Sequence, residues 1–266
     1  MDSARWIPAG GRGGGRSELA QYLVEHGAST DIFLAAALGL SDRAQRMLES
    51  NRDLLDLRTG RGDYAEQPPS SYHIYFWTIG DGRSPLDVAA QFEQHETLEI
   101  MLAFTTPMQR LLSACRMGDE NSARALVRAH PDLIAALRPE DHRAISDAAW
   151  HGDARAVALM LELGFDPRTP GHDSGTALHC ASWNGSAETV AAILRHPDAH
   201  ALVSLRDARY GATPLGWCCH GSVHGNRSHE HAAVARLLLA AGAQQGKDTR
   251  DSSLSVRAVL EAPPAQ

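Results

Sequence analysis

One short pattern returns along this chain and narrows the folds open to it more than any bulk property does. Gly175-Thr-Ala-Leu-His-Cys-Ala-Ser-Trp-Asn-Gly185, Ala212-Thr-Pro-Leu-Gly-Trp-Cys-Cys-His-Gly221 and Arg83-Ser-Pro-Leu-Asp-Val-Ala-Ala90 share a sequence logic. Each has a hydroxylated residue, then Pro or Ala, then Leu, with small residues three and four positions beyond the leucine. Thr176 and Thr213 stand where a side-chain oxygen caps a helix N-terminus, and Pro214 suits a first helical turn. Leu178, Ala181 and Ser182 then form the buried stripe of a short helix, and their small size lets a neighbour approach closely. Amphipathic segments follow on schedule at Leu98 to Leu102, Val157 to Leu163, Val190 to Leu194 and Val234 to Leu239, with Gly164 and Gly242 as stops. A pair of such helices cannot bury both faces alone, so the units must stack.

In this order the residues resemble the ankyrin repeat and its Thr-Pro-Leu-His-x-Ala pattern, and more closely bacterial ankyrin-repeat proteins, over about Ser17 to Gln244. The resemblance implies an all-α solenoid of helix-turn-helix units with protruding hairpin fingers. Residues 17–246 then hold a half repeat and about six repeats, after a flexible Gly-rich start at 1–16 and before a C-terminal tail at 247–266. His179 stands where such repeats keep a histidine that hydrogen-bonds the turn; Ser146 and Gly216 replace it in neighbouring units.

The period breaks in informative places. Gly152 to Thr176 is 24 residues, whereas Gly39 to Ser84 is 45, an excess of 21 that lies in residues 61–83. This insertion carries Tyr64, Tyr72, Tyr75, Phe76 and Trp77, and Tyr72 to Ile79 has the β-branched and aromatic make-up of a strand. It reads either as a finger packing its aromatics onto a neighbouring repeat or as a flap beside a binding groove. The last repeat is also lengthened, between Gly221 and Glu230, and His220, His224, His229 and His231 cluster there. Lacking regular ligand spacing, they read as a solvated loop, with no metal and no cofactor expected.

Aligning the repeats exposes one face of the first helices. The later units place there Asp147, Trp150 and His151, then Cys180, Trp183 and Asn184, then Trp217 and His220. In proteins this chain resembles, those positions line the concave groove used for recognition. Tryptophan is favoured where binding energy concentrates. One helix spacing should separate Trp150 from Trp183 by about 10 Å. Asp147 and His151, at i and i+4, with His220, would also suit acid/base chemistry on a small ligand, although no nucleophile motif accompanies them.

Composition removes other classes. The chain's 266 residues carry a net charge of −7 with no basic run, which argues against nucleic acid as a partner. No apolar stretch approaches the roughly 18 residues of a membrane span. Four cysteines without paired spacing suit a reducing, cytoplasmic setting. The expectation is therefore a module that binds a protein through Asp147, Trp150, His151, Cys180, Trp183, Trp217 and His220, with Tyr72, Tyr75 and Trp77 beside them. The alternative is a small-ligand-binding protein or enzyme using Asp147, His151 and His220.

Overall fold

The structure, a computed structural model, describes residues 21–64, 75, 79–80, 82–225 and 229–262. Among these residues every regular element is helical. They form stacked helix-turn-helix units, the solenoid that the recurring pattern implies. The chain divides into two compact units, residues 1–113 and 114–266.

In the first unit, α1 (Ile32–Leu38) packs on α3 (Pro85–Gln91), while α2 (Ser41–Ser50) packs on α4 (His95–Ala103). The Asp31 carboxylate caps α1 by accepting from the Leu34 N–H at 2.9 Å. Ser84 and Asp87 cap α3 reciprocally, with Pro85 in its first turn. Ile32, Phe33, Leu48, Leu86 and Met101 fill the core between the helices.

The long insertion closes at its base: the Thr59 N–H donates to the Arg83 carbonyl at 3.0 Å, and the Gly82 N–H to the Thr59 carbonyl at 2.9 Å. Tyr64 and Tyr75 turn inward, with ring centroids 4.8 and 5.6 Å from Phe33. Both hydroxyls donate to the Asp31 Oδ2 that the cap leaves free, Tyr64 at 3.2 Å. Burial, reinforced by that carboxylate, holds both phenols protonated far above their usual range. Tyr75, expected on a binding surface, is instead part of the core at 7% exposure. Tyr75 itself is helical rather than in a strand, and its carbonyl accepts from the Ile79 N–H at 2.8 Å. A buried phenol needs a partner for its hydroxyl, and Asp31 supplies it. Tyr72, Phe76 and Trp77 lie outside the described residues, as does the Gly-rich start at 1–16.

The boundary between the units falls in α5 (Pro107–Arg116), and the second unit continues with α6 (Glu120–Ala129) and the short α7 (Pro139–His142). Its inner layer is α8 (Ala144–Trp150), α10 (Ala177–Asn184) and α13 (Pro214–His224), stacked in that order. Behind them stack α9 (Ala154–Leu163), α11 (Ala187–Leu194) and α14 (His231–Ala240). A single turn of helix, α12 (Ala199–Leu202), follows α11. Asp153 caps α9 through the Ala156 N–H, and Gly164 ends it at φ 96°, a left-handed conformation costly for any residue with a Cβ.

Inner helices this short leave most of their C-terminal carbonyls unpaired, and the next repeat supplies the donors. Asn184 Nδ2 donates to the Trp150 carbonyl at 2.6 Å. His231 Nε2 donates to the Trp183 carbonyl at 2.9 Å, and the His229 ring bonds the Asn184 carbonyl. Gly221 permits this approach, since a Cβ there would lie 2.4 Å from the Trp183 oxygen. In the first unit Gln94 reaches the Ala37 carbonyl in the same way, at 3.4 Å.

His179 secures the opposite end. Its Nδ1 accepts from the Thr176 N–H at 3.1 Å, and its Nε2–H donates across to the Ala212 carbonyl at 3.2 Å. Ser146 performs a related task in its unit, donating to the Thr169 carbonyl at 2.9 Å. At Gly216 the missing side chain makes room for Asp248, whose Oδ2 accepts from the Thr213 N–H at 2.9 Å and its hydroxyl at 2.7 Å. The segment after Gly246, expected as a tail, is accordingly built in: a 3₁₀ turn (Lys247–Thr249) leads to α15 (Leu254–Leu260), which packs on α14. Thr249, Ser252 and Val256 are buried there, covering the apolar face that the last repeat would otherwise expose.

Burial pushes the His179 imidazole down to about 4. An unfolded chain would protonate it near 6.5, so stability is full above that pH and falls as pH drops towards 4, by up to about 3 kcal/mol. Urea denaturation at pH 7 and pH 4.5 should show this loss, and His179→Gln should be less stable at pH 7 yet flatter in its pH dependence. An unchanged slope in the variant would locate the acid sensitivity elsewhere.

Candidate functional site

The C-terminal ends of the three inner helices carry a continuous row of rings. Trp150 and Trp183 lie parallel, 5° apart in plane, with centroids 6.2 Å apart. His172, from the finger before α10, covers the far side of Trp150 at 4.1 Å. On the other side His220 lies 5.5 Å from Trp183, and the His224 ring is tilted against His220 at 4.2 Å. Trp150 and Trp183 are half-buried, whereas His151, His220 and His224 are exposed. The indoles lean together well inside the helix spacing of about 10 Å expected from stacking alone, because offset-parallel contact is favourable at this range.

Two residues assigned to this face belong to the interior. Cys180 is 0% exposed and Trp217 only 6%. They share one repeat position, two residues beyond the buried leucine, and the preceding finger covers it. A Cβ on Gly175 would meet the Trp217 ring at 2.7 Å, so the indole also lies against the finger before α10. Its N–H donates to Asp207 Oδ2 at 2.9 Å, and the same carboxylate accepts from the backbone N–H groups of Arg209 and Ala212. Burial alone would raise the Asp207 pKa, but these hydrogen bonds hold it below the usual carboxylate range. The position three residues further, Trp183 and His220, is the one that opens outward.

The groups suited to acid/base work have other partners. Asp147 faces Arg143, with Nε 3.5 Å from Oδ1, and His220 Nδ1 bonds Asp251 at 2.7 Å. All four cysteines are free and buried, and burial raises the Cys115, Cys180 and Cys219 thiols to about 12 and Cys218 further still. None is a thiolate nucleophile at neutral pH.

Sequence reasoning missed the fingertips. Asp173 and Ser174 adopt φ values of 47° and 63°, unusual for residues with a Cβ. The turn aims Asp173 at the next finger, where it pairs with Arg209, and Ser174 Oγ accepts the Arg209 N–H at 2.9 Å. Arg209 covers the ring of Tyr210 at 5.3 Å, and Tyr210 is 60% exposed. The available signal was an aromatic residue directly before Gly211 at a turn.

The four clustered histidines, read as one solvated loop, divide into two pairs. α13 continues through Gly221 as far as His224, so His220 and His224 sit one turn apart on a helix. His231 is 3% exposed and, with His229, closes the end of α10. Asp251 Oδ2 receives both His220 and His224, at 2.7 and 2.8 Å. Bonds from His224 and then His220 hold its carboxyl below the usual range.

Among the described residues no helix is long and apolar enough to cross a membrane. Residues 142–251 match the family model for ankyrin repeats in three copies. No curated protein matches the chain.

The covered position and the open one should respond differently to mutation. Trp217→Phe removes a hydrogen bond to a buried carboxylate and should cost about 2 kcal/mol in chemical denaturation. Trp183→Phe, with no such bond to lose, should stay within about 0.5 kcal/mol of the parent. Equal losses would contradict the division between them.

Proposed function

We propose that this chain is a binding module that recognises a protein partner through the ring-lined face of its later repeats. Ankyrin repeats generally mediate protein–protein contact. The observation that carries the reading is the half-buried Trp150–Trp183 pair, flanked by histidine rings on both sides. Two stacked indoles present a rigid apolar surface that costs little conformational entropy to bind, and such residues dominate interface energetics. Asp147, His151 and His220 supply polar groups along the same helix ends. Exposed Tyr210 and Arg209 extend the contact to the fingertips, and the mixed apolar, acidic and basic character suits a folded protein surface or peptide.

The sequence resemblance to bacterial ankyrin-repeat proteins favours a bacterial source, and the four unpaired thiols favour a cytoplasmic setting. Cys180, Trp217 and Tyr75 serve this reading indirectly, by fixing the finger and the core.

Affinity capture followed by titration tests the proposal. A protein retained by the parent should lose at least about thirtyfold in affinity against Trp183→Ala and against Trp150→Ala, or about 2 kcal/mol each. Trp217→Phe should retain it. Undiminished binding to both alanine variants, with their circular dichroism unchanged, would remove this face from the function.

A further inference from the structure

We propose that His220, His224 and Asp251 form a binding site for a first-row divalent transition metal, zinc in the first place. The inference is independent of the protein-binding reading, because it rests on ligand geometry alone.

Three kinds of observation carry it. First, the donor set is that of zinc: two imidazoles and a carboxylate, each offering one ligand atom. Those atoms, His220 Nδ1, His224 Nε2 and a carboxylate oxygen of Asp251, all lie within 4.8 Å of one another. Second, the spacing is within reach of coordination. Bonds of about 2.0 to 2.2 Å around a tetrahedral ion put ligand atoms roughly 3.3 Å apart. The present hydrogen bonds of 2.7 and 2.8 Å need open by only about half an ångström. Each ring then presents its facing nitrogen as a lone pair and carries its proton on the other nitrogen.

Third, the ligands are held by structure on both sides. His220 and His224 are set at i and i+4 on α13, a helix of 11 residues. Asp251 comes from a segment anchored before and after it. Asp248 is tied to Thr213, and the Ser253 N–H donates to Ser222 Oγ on α13 at 2.9 Å. Thr249 and Ser252, flanking the ligand, are buried. The carboxylate therefore faces the histidines because of the backbone's path, and an ion would enter a site already assembled.

All three ligands are exposed, which leaves at least one position open to water, as in sites where the metal meets a further ligand. His220 also packs on Trp183, so the open position borders the ring-lined face. The buried cysteines stand apart from this chemistry, and magnesium or calcium, which prefer oxygen ligands, should not compete.

Cobalt(II) titration of the chelator-treated, untagged full chain supplies the test. The expected result is one equivalent of saturable visible ligand-field absorption, without a thiolate charge-transfer band, displaced by zinc and unaffected by magnesium. His220→Ala, His224→Ala and Asp251→Asn should each weaken binding at least about tenfold. His130→Ala, an exposed histidine on another repeat, should not. Melting without metal checks that each variant folds, and His224→Ala, at the exposed end of α13, serves if Asp251→Asn does not. No saturable band, or a band that survives the three substitutions or falls equally with His130→Ala, would overturn the site.

Discussion

The unmet hydrogen-bonding demand of a short helix governs this molecule. An α-helix of seven or eight residues has more unpaired end groups than internal bonds, so it cannot stand without partners at both ends. Here the carbonyls of α8 receive Asn184, and those of α10 receive His229 and His231. The N-termini are satisfied by Thr176 with His179, and by Thr213 with Asp248. Apolar stacking holds the layers together, but it does not choose the register. The polar links do, because each joins one side chain to one carbonyl and slippage by a residue would strand both in the interior.

The same links decide which residues reach the surface. The finger before α13 is pinned through His179 to Ala212 and through Asp207 to Trp217, the residue two beyond its leucine, and Cys180, at the same position of α10, lies against Gly175 of the finger before. What remains open is the position three further on, where Trp183 and His220 emerge. The aromatic face is therefore a by-product of how the fingers are fastened, and its half-buried indoles are held rigid by the array behind them.

Most of the fold could be read from the chain because its determinants are local. The Thr-x-Leu spacing, the small residues at the helix contact and Gly164 announce themselves within a dozen positions. The insertion and the site were less legible. Nothing near Tyr75 in sequence reveals that Asp31 awaits its hydroxyl, and Trp217 reads as exposed until Asp207 is seen to receive its N–H. Asp248 and Asp251 lie in a segment that reads as a tail, yet they complete a helix cap and a histidine pair on α13. In each case the partner is a single polar atom outside the residue's own helix, and helical periodicity carries no trace of it. Trp150 and Trp183 were found because they repeat.

The direction of the carbonyl links has a bearing on synthesis. Those that close helix C-termini run from a later residue back to an earlier helix: Gln94 to Ala37, Asn184 to Trp150, His231 to Trp183. While the chain is being made, α1, α8 and α10 thus emerge with these closing donors still untranslated. A nascent chain halted after Gly185 would hold α10 with its last carbonyls bare, and only some 46 residues later, with His231, would they be closed. For these three helices, closure therefore trails synthesis by about one repeat.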